Sequence, residues 1–397
     1  MPFSQEEFII RINKLKQHLI NTEINLAILN QNSDIFYYTG SFQPLYLIVP
    51  AIGDPVMLAR KSIDRIGREV THLELEVFQG VRDIAEIFER LGFLSPDVKR
   101  IGMTLDSISY SSASRFERMI PDAIIADISW EIRTLRMVKS EAEISIISQA
   151  CKSLSGITDV AKGVFKPGIS EMELSAEIEH YLRMQGHGGL VRCRREGIEM
   201  AYGLCSSGLN TLVGTKFEGI CSGAGLSPGS PFGGSYSVIE KGAPLLLDYA
   251  LTLDGYHSDY SRIVTWGEPS DEIKRAYDAM VQVEQRVFDS LVPGATCEDI
   301  YNISLETAIN LGYEQEYMGY GSEKVRFVGH GIGLELDEPP FLAPKMKDIM
   351  AENMVLAIEP KVMLPDIGIV GIEDTIVIRA GGVEKLTEGS RDITIVE

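Results

Sequence analysis

The sequence predicts a two-domain protein of mixed class, an α/β domain over residues 1–137 followed by an α+β domain over 138–397 whose two halves resemble each other. Three observations carry this. A chain of 397 residues exceeds what one hydrophobic core fills, so it divides. The first third alternates short apolar strands with helical stretches. The remainder repeats its own landmarks at a fixed offset, far too long for a solenoid period.

A helix opens the chain, its start marked by Ser4 and Glu7 in the S-x-x-E pattern, where hydroxyl and carboxylate each bind a free amide of the first turn. Strands are predicted at 24–29 (INLAIL), 35–40 (IFYYTG) and 45–49 (LYLIV), interleaved with helices near 60–70 and 81–91. The segment 131–147 (EIRTLRMVKSEAEISII) begins a long helical pattern, and the domain boundary falls near residue 137.

Beyond it, Pro167-Gly168 and a helix ending at Gly186 are echoed by Pro293-Gly294 and a helix ending at Gly312, both 126 residues on (293 − 167 and 312 − 186). Ser170 with Glu173, and Thr296 with Asp299, cap the two helices in the same way. The preceding apolar stripes, Ile147, Leu154, Ala161 and Phe165 against Ile273, Met280, Val287 and Leu291, keep the same offset. Matches in register over this span predict two α+β halves about a pseudo-twofold axis, with a cleft where their sheets meet.

Composition narrows the function. Fifty-seven acidic against thirty-seven basic residues leave a formal charge of −20, which repels phosphate backbones and excludes a nucleic-acid partner. The five cysteines, at 151, 193, 205, 221 and 297, are odd in number and contain no CxxC pair, so buried reduced thiols are expected. The start MPFSQEEFIIRINKLKQHL lacks the apolar core of a secretory signal and no later run reaches membrane-spanning length, so a cytoplasmic location is expected, with no membrane association.

Chemistry concentrates in three segments. In LLLDYALTLDGYHSDYSRI, Asp248 lies inside an apolar strand, Asp254-Gly255 makes the turn, and Asp259 returns opposite or diagonal to Asp248. In MVLAIEPKVML and IVGIEDTIVI, Glu359 and Glu373 face each other about a turn centred on Asp366. A lone strand carboxylate is usually a hairpin cap; four in two apolar hairpins instead require a compensating cation. His330 in VGHGIG, flanked by glycines that allow close backbone approach, completes four carboxylates and one imidazole. This hard, oxygen-rich set suits manganese, iron or cobalt, with zinc less exclusive. Two ions are expected, because four carboxylates around one would leave excess negative charge, whereas bridging acids hold two metals roughly 3.5–4 Å apart.

These segments, LDYALTLDGYHSDYSR, GHGIGLELDEPP and AIEP…GIEDT, resemble the ligand segments of the pita-bread metallopeptidases, which include methionine aminopeptidase, aminopeptidase P and prolidase, with creatinase as a non-metal relative. LRMVKSEAEI is similar to the family's interdomain helix start, and residues 1–135 resemble the creatinase-type N-terminal domain. The resemblance implies a creatinase-type N-terminal α/β domain followed by a pita-bread catalytic domain. It implies that Asp259 and Glu373 bridge two divalent ions, that Asp248 binds one and His330 with Glu359 the other, and that Glu359 also shuttles a proton. The implied activity is that of an Xaa-Pro aminopeptidase or dipeptidase, cleaving the amide bond of a small peptide by metal-bound hydroxide, in a homodimer.

Three positions depart from the family pattern. Asp337, seven residues after His330, stands where a substrate-contacting histidine is usual; Pro231-Phe232 stands where the other is, and Gly371 replaces an arginine. Loss of an oxyanion donor costs on the order of 100- to 1000-fold in rate. Asp337 is read either as a substrate-binding position with changed chemistry or, equally, as a carboxylate paired with a nearby cation, and two alternatives stand beside the peptidase: a creatinase-like hydrolase of a small non-peptide C–N bond, and a non-catalytic binding homologue.

Weaker features take structural readings. The loop SGAGLSPGSPFGG, 222–234, misses a dinucleotide motif at Pro228 and is expected to line the cleft. Arg192, Arg194 and Arg195 are expected in ion pairs rather than on a substrate carboxylate. His257, beside Asp259, is expected to turn to the other face, toward the surface or a supporting role, and His187 between glycines to occupy a turn.

Overall fold

The computed structural model describes residues 3–194, 197, 200–216, 219–220 and 223–397. The chain forms two compact units, Met1–Arg136 and Met137–Glu397. Among the described residues no helix is long and apolar enough to cross a membrane.

The first unit runs α1 (Gln5–Asn21), β1 (Leu26–Leu29), α2 (Asn32–Thr39), β2 (Tyr46–Pro50), β3 (Val56–Ala59), α3 (Ile63–Glu69), β4 (Glu74–Val77), α4 (Val81–Arg90), β5 (Arg100–Met103), α5 (Tyr110–Met119), β6 (Ile124–Asp127) and α6 (Ser129–Leu135). Its six strands pair in the order β4-β3-β2-β1-β5-β6. In α1 the Ser4 side chain accepts from the Glu7 amide, and Phe8, Ile12, Leu15 and Leu19 form the buried stripe. Leu26, Ile28, Ile48, Leu58, Phe88, Ile101 and Phe116 make its core.

One expectation fails here. Residues 35–40, read as an apolar strand, fall in helix α2 as far as Thr39, with Gly40 as its cap. The Gln31 side chain accepts from the amides of Ser33 and Asp34, starting the helix, and Gly40 at φ 79° ends it in the left-handed conformation. End signals outweigh strand propensity, a preference that depends on context.

The second unit runs α7 (Glu141–Leu154), α8 (Ile157–Val164), α9 (Glu171–Met184), β7 (Gly203–Ser207), β8 (Pro244–Leu253), β9 (Tyr256–Trp266), α10 (Asp271–Ser290), α11 (Cys297–Asn310), β10 (Gly329–Gly331), β11 (Glu338–Phe341), β12 (Val355–Ile358), β13 (Lys361–Leu364), β14 (Gly368–Gly371), β15 (Asp374–Arg379), β16 (Gly382–Lys385) and β17 (Thr394–Val396). The long helical pattern expected from residue 131 is two helices, α6 and α7. Ser140 accepts from the Glu143 amide while Glu143 binds back to Ser140, a capping box that starts α7 afresh.

The duplication is visible in the backbone. Gly168 and Gly294 adopt φ 89° and 99°, and Gly186 and Gly312 adopt 96° and 91°, so each landmark glycine meets its counterpart in the same left-handed turn. Ser170 caps α9 and Thr296 caps α11 through the third amide. The halves differ in that α7 and α8 are separate where α10 is continuous.

Two sheets carry the halves, β17-β9-β8-β7 and β11-β10-β12-β15-β16, with β13-β14 as a separate pair. Along β8, Leu245, Leu247, Tyr249 and Leu251 face the core formed with α9, so alternation turns Leu246, Asp248 and Ala250 to the opposite face. That inner face carries the acids.

Candidate active site

The β8–β9 hairpin turns through Asp254 and Gly255, at φ 47° and 90°, the two-residue turn that suits the twist of the flanking strands. Its register sets Asp248 against Ser261 and Ala250 against Asp259, so the two aspartates are diagonal neighbours on one face. Thr375 fixes the second of them. Its hydroxyl donates to the Asp259 carbonyl at 2.7 Å and accepts from the Asp259 amide at 3.1 Å.

The second hairpin is not one continuous ladder. Ile358 pairs with Asp374 in the five-stranded sheet and Lys361 with Gly371 in the separate pair, while Glu359 and Glu373, opposite each other between these rungs, belong to neither. Pro360 has no amide hydrogen with which to continue the ladder. Glu373 instead donates its amide to the Ser261 carbonyl at 3.1 Å, which joins this hairpin to β9. Arg262 completes the joint: it is 1% exposed and donates to Asp374 and to the Glu373 carbonyl, each at 2.7 Å.

His330 sits on β10 between two glycines whose absence of a side chain is a requirement. A Cβ on Gly329 would stand 2.4 Å from the Ala357 carbonyl, and one on Gly331 would stand 2.3 Å from that of Pro339. This close packing presses the imidazole toward the acids. Its Nε2 lies 3.7 Å from Asp259 and 3.6 Å from Glu359, and its Nδ1 lies 3.8 Å from Asp337.

The ligand atoms of Asp259, His330 and Glu373 all lie within 4.8 Å of one another. Burial, together with Glu373, Asp248 and Glu359, pushes the Asp259 carboxyl well above its usual range. Burial likewise raises Glu373, against the pull of Lys361. For His330, burial opposes protonation, but Asp337, Glu359 and Glu373 outweigh it and raise its pKa. Crowded buried acids and an imidazole that converge in this way could hold a divalent cation at Asp259, His330 and Glu373, with Glu359 3.6 Å from the imidazole.

Sequence reasoning missed Lys361. Its Nζ lies 2.7 Å from Glu359, 3.0 Å from Glu373 and 3.3 Å from Asp248, inside the acid set. The signal was present: two residues after Glu359 on a strand, it shares that residue's face.

A cavity opens over these residues, lined also by Cys193, Met200, Tyr202, Phe232, Phe327, Leu336 and Asp337. Phe232 brings the glycine-rich loop into the wall. Cys193 is half-buried there, unlike the buried Cys151, Cys205 and Cys297; Cys221, Ser222 and Arg195 lie outside the described residues. Arg194 faces Glu335 at 3.8 Å, both side chains buried, as a structural pair.

His257 corrects the sequence reading. Residues two apart on a strand share a face, and His257 is fully buried rather than turned to the surface. Its Nε2 accepts from the Arg192 amide at 2.9 Å and its Nδ1 meets the Gly333 carbonyl at 3.0 Å, so a neutral ring pins two loops behind the site. His187, also buried, accepts from the Gly189 amide at 2.8 Å and stacks on Tyr202.

Residues 145–380 match the model of metallopeptidase family M24, and residues 11–138 match that of the creatinase/prolidase N-terminal domain. The chain is 26% identical over 394 residues to the uncharacterised peptidase YqhT of Bacillus subtilis, covering 98% of this chain and all of the relative. It is 25% identical to the Xaa-Pro dipeptidase of Pyrococcus furiosus, covering 96% and 99% of the two chains. Among solved structures, the Xaa-Pro dipeptidase from Bacillus anthracis superposes with a TM-score of 0.83 at 23% identity, over 98% of this chain and 100% of that one. The X-Pro aminopeptidase from Thermotoga maritima gives 0.79 at 22% identity, over 97% and 99%. At these identities the structures establish the architecture, which is the pita-bread fold preceded by a creatinase-type domain.

Proposed function

Since the chain belongs to metallopeptidase family M24, we propose that it hydrolyses the amide bond before proline in small Xaa-Pro peptides, using Asp248, Asp259, His330, Glu359 and Glu373 as its metal centre. The observation that carries this reading is the convergence of these side chains at the floor of one largely apolar cavity. The names of the full-length relatives point to the same substrate class.

Divalent ions, two in the pattern that the resemblance implies, would be held by Asp248, Asp259, His330, Glu359 and Glu373 and would supply Lewis acidity and lower the pKa of water; manganese, iron or cobalt suit this donor set, with zinc less exclusive. The chain's own groups do the rest. Glu359, with one oxygen toward His330 and the other toward Lys361, is placed to take a proton and return it to the departing nitrogen. Phe232, Phe327 and Leu336 give the proline ring an apolar wall and keep bulk water away. Asp337, which lines the same cavity, presents a carboxylate that can pair with the free amino group of a short peptide. A cytoplasmic location, expected from the sequence, and a homodimer, implied by the resemblance, belong to the same reading.

The test is turnover of a panel of Xaa-Pro dipeptides and longer peptides by manganese-, cobalt- and zinc-loaded protein, with chelated controls. Cleavage of none of them under any metal sinks the peptidase reading. The replacement of a histidine by Asp337, with a lysine among the acids, favours a second reading, hydrolysis of a small non-peptide C–N bond. Turnover of amidines or cyclic amides without turnover of peptides selects it.

A further inference from the structure

Lys361 belongs to no part of the machinery that the family resemblance supplies. It lies on β13 in register with Gly371 on β14, and its side chain is wholly buried. One ammonium gathers oxygens from Glu359, Glu373 and Asp248 at 2.7, 3.0 and 3.3 Å. These residues come from two hairpins, so the lysine is a centre of convergence and not one arm of an isolated pair.

The cross-strand neighbour explains how the lysine enters. A Cβ on Gly371 would stand 2.5 Å from Lys361 Cγ, 2.6 Å from the Pro360 carbonyl and 2.7 Å from Lys361 Cα. The lysine stem therefore runs through the space that any side chain at 371 would fill. Glycine at 371 and lysine at 361 thus fit one another across the strands, and the ammonium points into the acids.

The acid set is divided by this arrangement. Glu359 turns one oxygen to Lys361 and the other to His330, at 2.7 and 3.6 Å. Asp259 faces His330, and with Glu373 these atoms lie within 4.8 Å of one another, the dimension of one cation site. Asp248, the acid remaining for another ion, has the ammonium beside it. A divalent ion binding the same Asp248 and Glu373 oxygens would have to stand where the lysine nitrogen stands, and like charges at that separation repel strongly in a buried site.

We propose that Lys361 is a built-in cation that takes one of the family's two metal positions, so that this chain holds a single divalent ion, between Asp259, His330, Glu359 and Glu373. The inference rests on the metallopeptidase reading. An ammonium neutralises carboxylates and donates hydrogen bonds but has no empty orbital for a lone pair, so the Asp248 side of the site offers a proton donor where an ion would offer Lewis acidity.

Metal content measured by mass spectrometry after loading with excess Mn(II) and dialysis, together with the electron paramagnetic resonance spectrum of the same sample, tests this. The expected result for wild type is one ion per chain with the hyperfine pattern of isolated Mn(II). Lys361→Ala should raise the content to two ions and give a spin-coupled spectrum. Two ions or a coupled spectrum in wild type overturns the inference and leaves the peptidase reading intact. One ion in both proteins overturns the claim that the lysine excludes the second. If Lys361→Ala does not fold, Lys361→Met, of similar length and no charge, takes its place with the same two outcomes, and a spin-coupled wild-type spectrum overturns the inference without either variant. Absence of any bound ion overturns the inference together with metal-dependent hydrolysis. One bound ion without turnover of any Xaa-Pro peptide overturns the substrate reading only.

Discussion

Gly371→Ala is the smallest change that tests how the site is packed. The added methyl would stand 2.6 Å from the Pro360 carbonyl, 2.7 Å from Lys361 Cα and 2.5 Å from Lys361 Cγ. The lysine stem can rotate away from the last of these, but the first two are backbone, and the β13–β14 ladder must open by several tenths of an ångström to relieve them. Overpacking of this kind costs about 1–3 kcal/mol, and with two rigid partners we expect about 3 kcal/mol. Gly163→Ala provides the control. Nothing lies within 4 Å of a Cβ there, in helix α8, so alanine should be neutral or stabilise by up to about 1 kcal/mol. Urea unfolding followed by tryptophan fluorescence measures both, in a Trp130→Phe background that leaves Trp266 on β9 to report on the catalytic unit. If Gly371→Ala shifts stability by less than about 0.5 kcal/mol, the ladder is not as close as described and the route of the lysine stem is wrong.

Three further expectations follow from the same geometry. Asp259→Ala and Glu373→Ala should each abolish tight metal binding in a titration, because both side chains belong to the converging cluster, whereas Asp337→Ala should keep the ion and alter turnover; retention of metal by the first two refutes the ligand assignment. Asp374→Ala leaves the buried Arg262 without its carboxylate and should cost about 3–5 kcal/mol in denaturant unfolding, a loss that Asp374→Asn should lessen. His187 is held neutral by burial and by Arg183, its pKa lowered from 6.5 to about 4. Its contribution is fully present above pH 6.5 and is lost as pH falls toward 4, by roughly 2 kcal/mol after allowance for partial solvation. His187→Gln should flatten that part of the stability-against-pH curve, and an unchanged slope would show the ring to be solvated.

The residues that announced the site in the sequence were those whose chemistry conflicted with their surroundings. Asp248 in LLLDYAL and Glu359 in MVLAIEP are charges in strands that otherwise read as core, and the turn at Asp254-Gly255 was enough to set Asp259 beside Asp248. The duplication was legible for a similar reason, since Gly168 and Gly294 hold backbone conformations that other residues rarely adopt. What escaped was information that resides in contacts. Helix α2 looked like a strand because Gln31, outside the usual set of capping residues, performs the capping. The change of ladder at Pro360 was invisible because register arithmetic alone places Glu359 opposite Glu373 whether or not the rungs between are made. Lys361 was passed over although the register that sets Glu359 opposite Glu373 also sets it opposite Gly371; that its stem fills the space there is a fact of packing.

The bridge between Ser261 and Glu373 bears on how the molecule acquires its shape. It closes a loop of 112 residues (373 − 261), and the site needs this closure in addition to the local β8–β9 turn. Contacts between residues so distant in sequence carry a loop-closure cost that a local turn does not. Asp248 and Asp259 lie on the local hairpin, whereas Glu359, Lys361 and Glu373 come with the C-terminal one, so the acids of both hairpins meet only where this closure is made. That hairpin carries Lys361 between its two glutamates, so the compensating charge arrives in the same step as the charges that most need it. The closed loop thus places an ammonium among the acids whether or not an ion is bound.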